Sequence, residues 1–504
     1  MLRHVDAQLI GRKPERAEVD ARVAVRLVAA LAAVLLATTA CQGADRAQPP
    51  RPRAPATSGT AAAPAAPAYS AGRSQPVADP LYPDFGNPAI DVLHYDLALR
   101  WAPSSRTLTG TATLTVRAAR DVEKVRLDFA SSLHADGVTV DGKPAKAVHR
   151  GHDLVIPAGR RLARDARVVV AVRYHGRPRT IPGPSVRSDT KALGLIVLPD
   201  SSAYAIQEPY GALTWYPVND HPSDEALYDV AVTVPRGWAG VSSGLLRGAS
   251  ARGGRVTWRW HAADPTASYL VALGIDRYRR HTATGPHGIP VTYWVRPQDA
   301  GRTLPLLRKT PRMLAWLEAR FGRYPFGSAG VFAIPADTGM ETQTMVTLGR
   351  RLPEEDLLHE LAHQWFGNSV GPRTWRDVWL NEGFATYAQL LYEADVLGRP
   401  AKRTLALFRQ LDGRLRREHG PPGRFRPGHF ASANVYLPPA LLLHQVRRVV
   451  GDRRFFALLR AWVQQHRNVE ADRALFTSWL NRYTGRDLTR LVDRWLDSST
   501  TPPM

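Results

Sequence analysis

The chain has 504 residues, 44% hydrophobic and 8% aromatic, enough for a sizeable core and two or three domains. Its one cysteine, Cys41, excludes an intramolecular disulfide and a thiolate metal cluster, so any metal must be held by His, Asp and Glu. The net charge of +22 comes largely from arginines scattered along the chain, which reads as a solvated surface and points away from nucleic acid.

Residues 23–40 (VAVRLVAALAAVLLATTA) hold an uncharged apolar run from Leu27 to Ala37. Arg22 and Arg26 precede it and the small residues Thr38, Thr39 and Ala40 follow, which is the layout of an export signal. The run is too short for a comfortable membrane span. Cys41 comes next and resembles the lipidated cysteine of a bacterial lipoprotein, although Thr38 stands where that pattern prefers Leu. The expectation is a signal segment over 1–41 and a lipid anchor at Cys41 on the outer face of a bacterial membrane; simple secretion is the alternative. Residues 42–80 are rich in Ala and Pro, with Pro49, Pro50, Pro52, Pro55, Pro64 and Pro67 interrupting any helix, and read as an extended tether.

From 81 to 297 the pattern has a period near two. HYDLALRW (94–101), LTGTATLTV (108–116), KVRLDF (124–129), RVVVAVRY (167–174), YDVAVTV (228–234) and RVTWRW (255–260) alternate apolar and polar residues between turn-forming Gly, Pro, Asp and Asn. That predicts an antiparallel β domain with one wet face. From 298 to 504 apolar residues recur at three and four, predicting helices over 303–321, 353–368, 376–396, 400–417, 437–450, 452–466 and 471–497. The fold class is therefore α+β, a β domain followed by a mostly helical one.

Within PEEDLLHELAHQWFGN (353–368), His359 and His363 are four apart, so on a helix both imidazoles can reach one ion, with Glu360 beside them. Zinc takes His nitrogens and carboxylates and, in catalytic sites, keeps one position open. Glu382, on the next helical segment RDVWLNEGFATYAQL (376–390), offers a third ligand, and Gly367, Gly371 and Pro372 can turn the chain between them. A salt-bridged surface helix can carry His-Glu-x-x-His by chance; the downstream Glu382 on a second helix argues against that. The chemistry implied is hydrolysis by a zinc-activated water with Glu360 as general base.

The run HELAHQWFGNSVGPRTWRDVWLNEGFATY (359–387) resembles the zinc-site block of the M1 metallopeptidases of the aminopeptidase N type. QEP (207–209), WYPVNDHPSDEALYDVAVTVP (215–235) and ASYLVALG (267–274) resemble further family blocks. The resemblance implies a saddle-like antiparallel N-terminal domain and a thermolysin-like catalytic domain. It implies His359, His363 and Glu382 as ligands of one zinc ion and Glu360 as the base. ADTGMETQ (336–343) resembles the family's Gly-x-Met-Glu-Asn strand, with Thr338 and Thr342 departing from it, and implies that Met340 and Glu341 bind substrate, Glu341 at the free α-amine with Glu208 as a second carboxylate. Tyr436, followed by Leu437, Pro438 and Pro439 where the family has Lys-Gly or Arg-Gly, takes the place of the oxyanion-stabilising tyrosine. The family's large C-terminal superhelical domain finds no counterpart before residue 504, implying an open cleft. The function expected is an aminopeptidase acting on peptides with a free N-terminus. The altered 338–342 segment leaves open an endopeptidase on the same scaffold, and the departures near Tyr436 leave open a non-catalytic, surface-tethered peptide-binding protein.

Overall fold

Strands that alternate apolar and polar residues bury one face and wet the other, and in the first half of this chain they make one long sheet. A computed structural model describes residues 69–187 and 191–503. Its eight-stranded sheet runs in the order Leu245–Arg252, Arg255–Ala267, Glu225–Pro235, Ile90–Ala102, Thr107–Ala118, Arg167–Gly176, Leu133–Val140, Lys143–Ala145. Every neighbouring pair is antiparallel except the third in that order, where Ile90–Ala102 runs parallel to Glu225–Pro235 with His94 opposite Leu227. A three-stranded sheet (Val122–Asp128, Val148–Arg150, Asp153–Leu162) and a five-stranded one (Ile181–Pro182, Ala192–Val197, Ala203–Ile206, Ala239–Ser242, Leu273–Asp276) complete this half.

The boundary expected at 297/298 cuts through a sheet. Arg279–Thr284 and Pro290–Val295 form a hairpin, and Pro290–Val295 pairs in parallel with Ala329–Ile334, which pairs in parallel with Val346–Gly349. The antiparallel edge strand Gly339–Met340 closes the set. The strands on either side of residue 297 therefore belong to one sheet, whose first strand begins at Arg279. Ala329–Ile334 is buried along its whole length, so its sequence (AGVFAI) has no alternation to read, and the span after 300 is not all helical.

The helices follow: α1 Ala300–Leu307, α2 Thr310–Phe321, α3 Glu354–Ala362, α4 Trp379–Asp395, α5 Ala401–His419, α6 Leu437–Val450, α7 Asp452–Gln465, α8 Arg473–Thr484 and α9 Thr489–Asp497. The single helix expected over 303–321 is two, because the chain breaks at Arg308–Lys309 and restarts with Pro311 in the first turn of α2. That expected over 471–497 breaks at Gly485, which is left-handed (φ 63°) after α8; Asp472 caps the start of α8 by accepting from Leu475 N at 2.8 Å.

The tether expected over 42–80 ends earlier. Tyr69 stacks on His94 at 4.1 Å, and Ser74 Oγ donates to the buried Asp91 at 2.6 Å, which also holds Arg117. Asp79 is buried and accepts from Trp375 N at 2.7 Å, so residues 69–80 are packed against both halves of the fold. The expected signal segment and Cys41 lie outside the described residues. Among the described residues no helix is long and apolar enough to cross a membrane.

Candidate active site

Helix α3 presents its apolar residues Leu357, Leu358, Leu361 and Ala362 to the core, and the same periodicity turns His359 inward. The helix then widens: Phe366 and Gly367 leave helical geometry, and Gly367 takes φ 119°, a conformation open to glycine. This turn brings the Phe366 carbonyl to His363 Nδ1 at 3.1 Å. A carbonyl only accepts, so Nδ1 carries a proton and Nε2 is the nitrogen left to face Glu382 and an ion.

Glu382 stands in the first turn of α4. Its Oε2 lies 3.2 Å from His359 Nε2 and 3.5 Å from His363 Nε2, all three residues being buried. Donor atoms of a tetrahedral ion with bonds of about 2.0 Å stand about 3.3 Å apart, so this set fits zinc. For Glu382, burial, which alone would raise its carboxyl, is outweighed by His363 and His359, which hold it well below the carboxylate range. For His363, burial is outweighed by Glu341 and Glu382, pushing it up to about 10.

A second carboxylate layer surrounds the first. Donor atoms of Glu341, Glu360 and His363 lie within 4.8 Å of one another, and so do those of Glu208, Glu341 and Glu382. Burial pushes up the Glu341, Glu360 and Glu208 carboxyls; His363 opposes the rise for Glu341 and Glu360, and Glu341 and then Glu382 add to it for Glu208. Glu208 Oε1 and Glu341 Oε1 are buried and accept no hydrogen bond from the protein. Buried carboxylate oxygens without donors are costly unless a ligand cation answers them.

The departures from the family's strand are accommodated locally. Thr342 Oγ1 donates to the Met345 carbonyl and lies 2.9 Å from Thr347 Oγ1, closing the turn between the two short strands. A Cβ at Gly339 would collide with the Glu360 carboxylate, so the strand passes directly over the base. Met340 is buried in that strand, immediately before Glu341.

Tyr436 lies immediately before α6, buried, with its ring 6.1 Å from that of His359. Pro438 and Pro439 fall in the first turn of α6, where a missing N–H costs no hydrogen bond. A Cβ at Gly383, the residue after Glu382, would overlap Pro439, so the absence of a side chain there lets α4 and α6 approach closely. The sequence-predicted residues His359, Glu360, His363, Glu382, Glu341, Glu208 and Tyr436 are thus brought together.

Sequence reading missed the groups that hold them. Gln364 Nε2 and Asn368 Nδ2 donate to the Glu341 carbonyl at 3.1 and 2.7 Å, tying it to the turn after His363. Both lie in the matched run, where adjacency to the histidines was the available signal. Arg187, from the β half, donates Nη1 to Tyr436 Oη at 3.1 Å. Nothing in the sequence marks a contact across that separation.

Two helices carrying His-Glu-x-x-His and a distant Glu, laid against a short strand that leads into a further Glu, define a zinc metallohydrolase site of the gluzincin kind. Residues 307–418 match the Peptidase family M1 domain. The M1 zinc metallopeptidase of Deinococcus radiodurans has 29% identity and a TM-score of 0.78 over 85% of this chain and 98% of that one. A variant of a two-domain M1 zinc metallopeptidase bound to L-tryptophan has 30% identity and a TM-score of 0.77 over 85% and 99%. Aminopeptidase N of Lactococcus lactis is 26% identical over 57% of this chain and 38% of its own, so the chain spans about two-fifths of that relative's length. The chain belongs to the M1 family of zinc metallopeptidases, and its cofactor is zinc.

Proposed function

We propose that the protein is a zinc aminopeptidase that removes the N-terminal residue from peptides. The observation that carries this is the pair of buried, orphaned oxygens on Glu208 and Glu341, whose carboxylates each bring an oxygen within 4.8 Å of the other and of Glu382. A free α-ammonium there would compensate both and set the first peptide bond against the His359, His363 and Glu382 set. A relative's bound L-tryptophan, a free α-amino acid, is the kind of product such a reaction releases.

His359, His363 and Glu382 hold the metal. When bound, zinc supplies Lewis acidity to the scissile carbonyl and makes water acidic near neutral pH. Glu360 takes the proton of the attacking water and passes it to the leaving amine; its raised carboxyl is closer to the working pH than an exposed glutamate would be. Tyr436 donates its O–H to the oxygen on which charge develops. Glu341 and Glu208 hold the ammonium, and the Gln364 and Asn368 bonds fix the register of Glu341 against the base.

The test is release of chromophore from aminoacyl-anilides with and without a chelator. Chelator-sensitive turnover of free-amine substrates and none of their N-acetyl forms is expected. Equal cleavage of blocked peptides would make the enzyme an endopeptidase and end this reading.

The sequence before residue 69 supports an exported enzyme, anchored through a lipid on Cys41 and carried on the Ala/Pro-rich segment that follows it. Mass spectrometry of the mature N-terminus decides it: diacylglyceryl on Cys41 is expected, and an unmodified Cys41 in the mature protein would overturn it.

A further inference from the structure

The segment from Ile181 to Arg187 leaves the β half and is stitched to the chain that leads into Tyr436. Pro184 O accepts from Phe430 N at 3.0 Å, Ser185 Oγ donates to Phe430 O at 2.9 Å, and Arg187 N donates back to Ser185 Oγ at 3.2 Å. Arg187 Nη1 then reaches both the Ala431 carbonyl, at 3.0 Å, and Tyr436 Oη, at 3.1 Å. Ala431 sits at φ 49°, unusual for a residue with a side chain, in the middle of this lacing. One guanidinium therefore fixes the backbone before Tyr436 and the far end of its side chain together.

The chemistry of the two groups gives that contact a direction. A guanidinium has donors only, so the phenol oxygen must accept from it. The phenol's own proton is then turned away from Arg187, and the Tyr436 ring lies stacked beside that of the ligand His359, 6.1 Å between centroids. A donor held with its proton facing the reacting centre need not reorganise when charge develops there. A cation on the phenol oxygen also strengthens it as a donor.

We propose that Arg187 is a positioning residue: it holds the Tyr436 phenol so that its proton faces the carbonyl under attack, a part of the catalytic machinery supplied by the β half. The inference rests on the aminopeptidase reading for its reaction, but its test includes a binding measurement that does not need turnover.

Arg187→Ala, Arg187→Lys and Tyr436→Phe, with Arg187→Ala and Arg187→Lys each also combined with Tyr436→Phe, are compared in the zinc-loaded enzyme. Two ligands are titrated calorimetrically, a phosphinic dipeptide that mimics the tetrahedral state and a free amino acid. Arg187→Ala is expected to lower kcat about tenfold and to weaken the phosphinic ligand about equally, the size of one charge-assisted hydrogen bond. KM and amino-acid affinity should stay within about twofold. In the Tyr436→Phe background the same substitution should do nothing further, because its target is gone. Arg187→Lys, which keeps the charge and most of the packing, should recover part of the loss.

Additive losses in the double variant would overturn the proposal, as would equal weakening of both ligands or a rise in KM with kcat unchanged. If Arg187→Ala melts early, the Lys variant carries the comparison, and a Lys variant that falls equally in both backgrounds refutes it. If wild-type enzyme turns over no free-amine substrate, the functional reading fails, and the ratio of the two affinities still decides the role of Arg187.

Discussion

Replacing Glu341 by Gln removes one charge and almost no volume. The Glu341 carbonyl would still accept from Gln364 and Asn368, and the variant amide would occupy the place of a carboxylate oxygen that has no protein donor. An ammonium about 3 Å from a carboxylate gains about 5 kcal/mol at an effective dielectric near 20, part of which offsets desolvation. The amide keeps one acceptor and Glu208 remains close by, so the expected loss is about 2–4 kcal/mol, or between about 30-fold and 1,000-fold in kcat/KM. The assay is kcat/KM on matched aminoacyl- and N-acetylaminoacyl-anilides, with zinc content measured on the same samples. The loss should fall on the free-amine series alone, and the variant should melt no lower than wild type, since a buried carboxylate is relieved of its charge. Unchanged kcat/KM on free-amine substrates with full zinc occupancy would refute the assignment of Glu341 to the amine, and with it the exopeptidase argument.

Glu360→Gln should abolish turnover, by about 1,000-fold or more, while zinc remains bound by metal analysis; residual activity near wild type would remove Glu360 from the base role. Gly383→Ala gains about 1 kcal/mol of helix propensity but must push Pro439 aside, so a net loss of about 1–2 kcal/mol by urea denaturation is expected, with a fall in kcat as the turn carrying Tyr436 shifts. Asp128 is pushed up to about 7 by burial and then by Asp220, against Arg126. The folded state therefore binds its proton more tightly than the unfolded one, and this contribution to stability, full below about pH 4, is lost as pH rises through 7. Asp128→Asn should stabilise the protein at pH 8 by about 2 kcal/mol and not at pH 4, in chemical melts; equal effects at both pH values would refute the titration.

The zinc helices were legible because their requirement is local: two histidines four apart and one inward face. The long β strands were legible because one wet face leaves an alternating record. Ala329–Ile334 left none, since both of its faces are buried. Without that strand, residues 279–295 fell inside the expected β domain, whereas they form the first two strands of a sheet that continues into the helical half. The break between α1 and α2 was hidden because apolar spacing continues across Arg308–Lys309. Arg187 was invisible for another reason: its meaning depends on a residue 249 positions away, and an arginine in an Arg-rich chain carries no local mark.

The sheet that straddles residue 297 sets where this polypeptide can be divided. A fragment beginning at residue 298 would keep Ala329–Ile334 but lose the strand hydrogen-bonded to it through Val291–Trp294. It would display a wholly apolar strand with unpaired backbone amides, the form of edge that recruits other chains. Begun near 277, the same fragment would keep the hairpin and have Arg279–Thr284 as its border, a strand carrying Arg279, Arg280 and His281 and no buried residue. The short, charged outer strand is thus a guard for the apolar one inside it, and solubility of the helical half depends on keeping the two together.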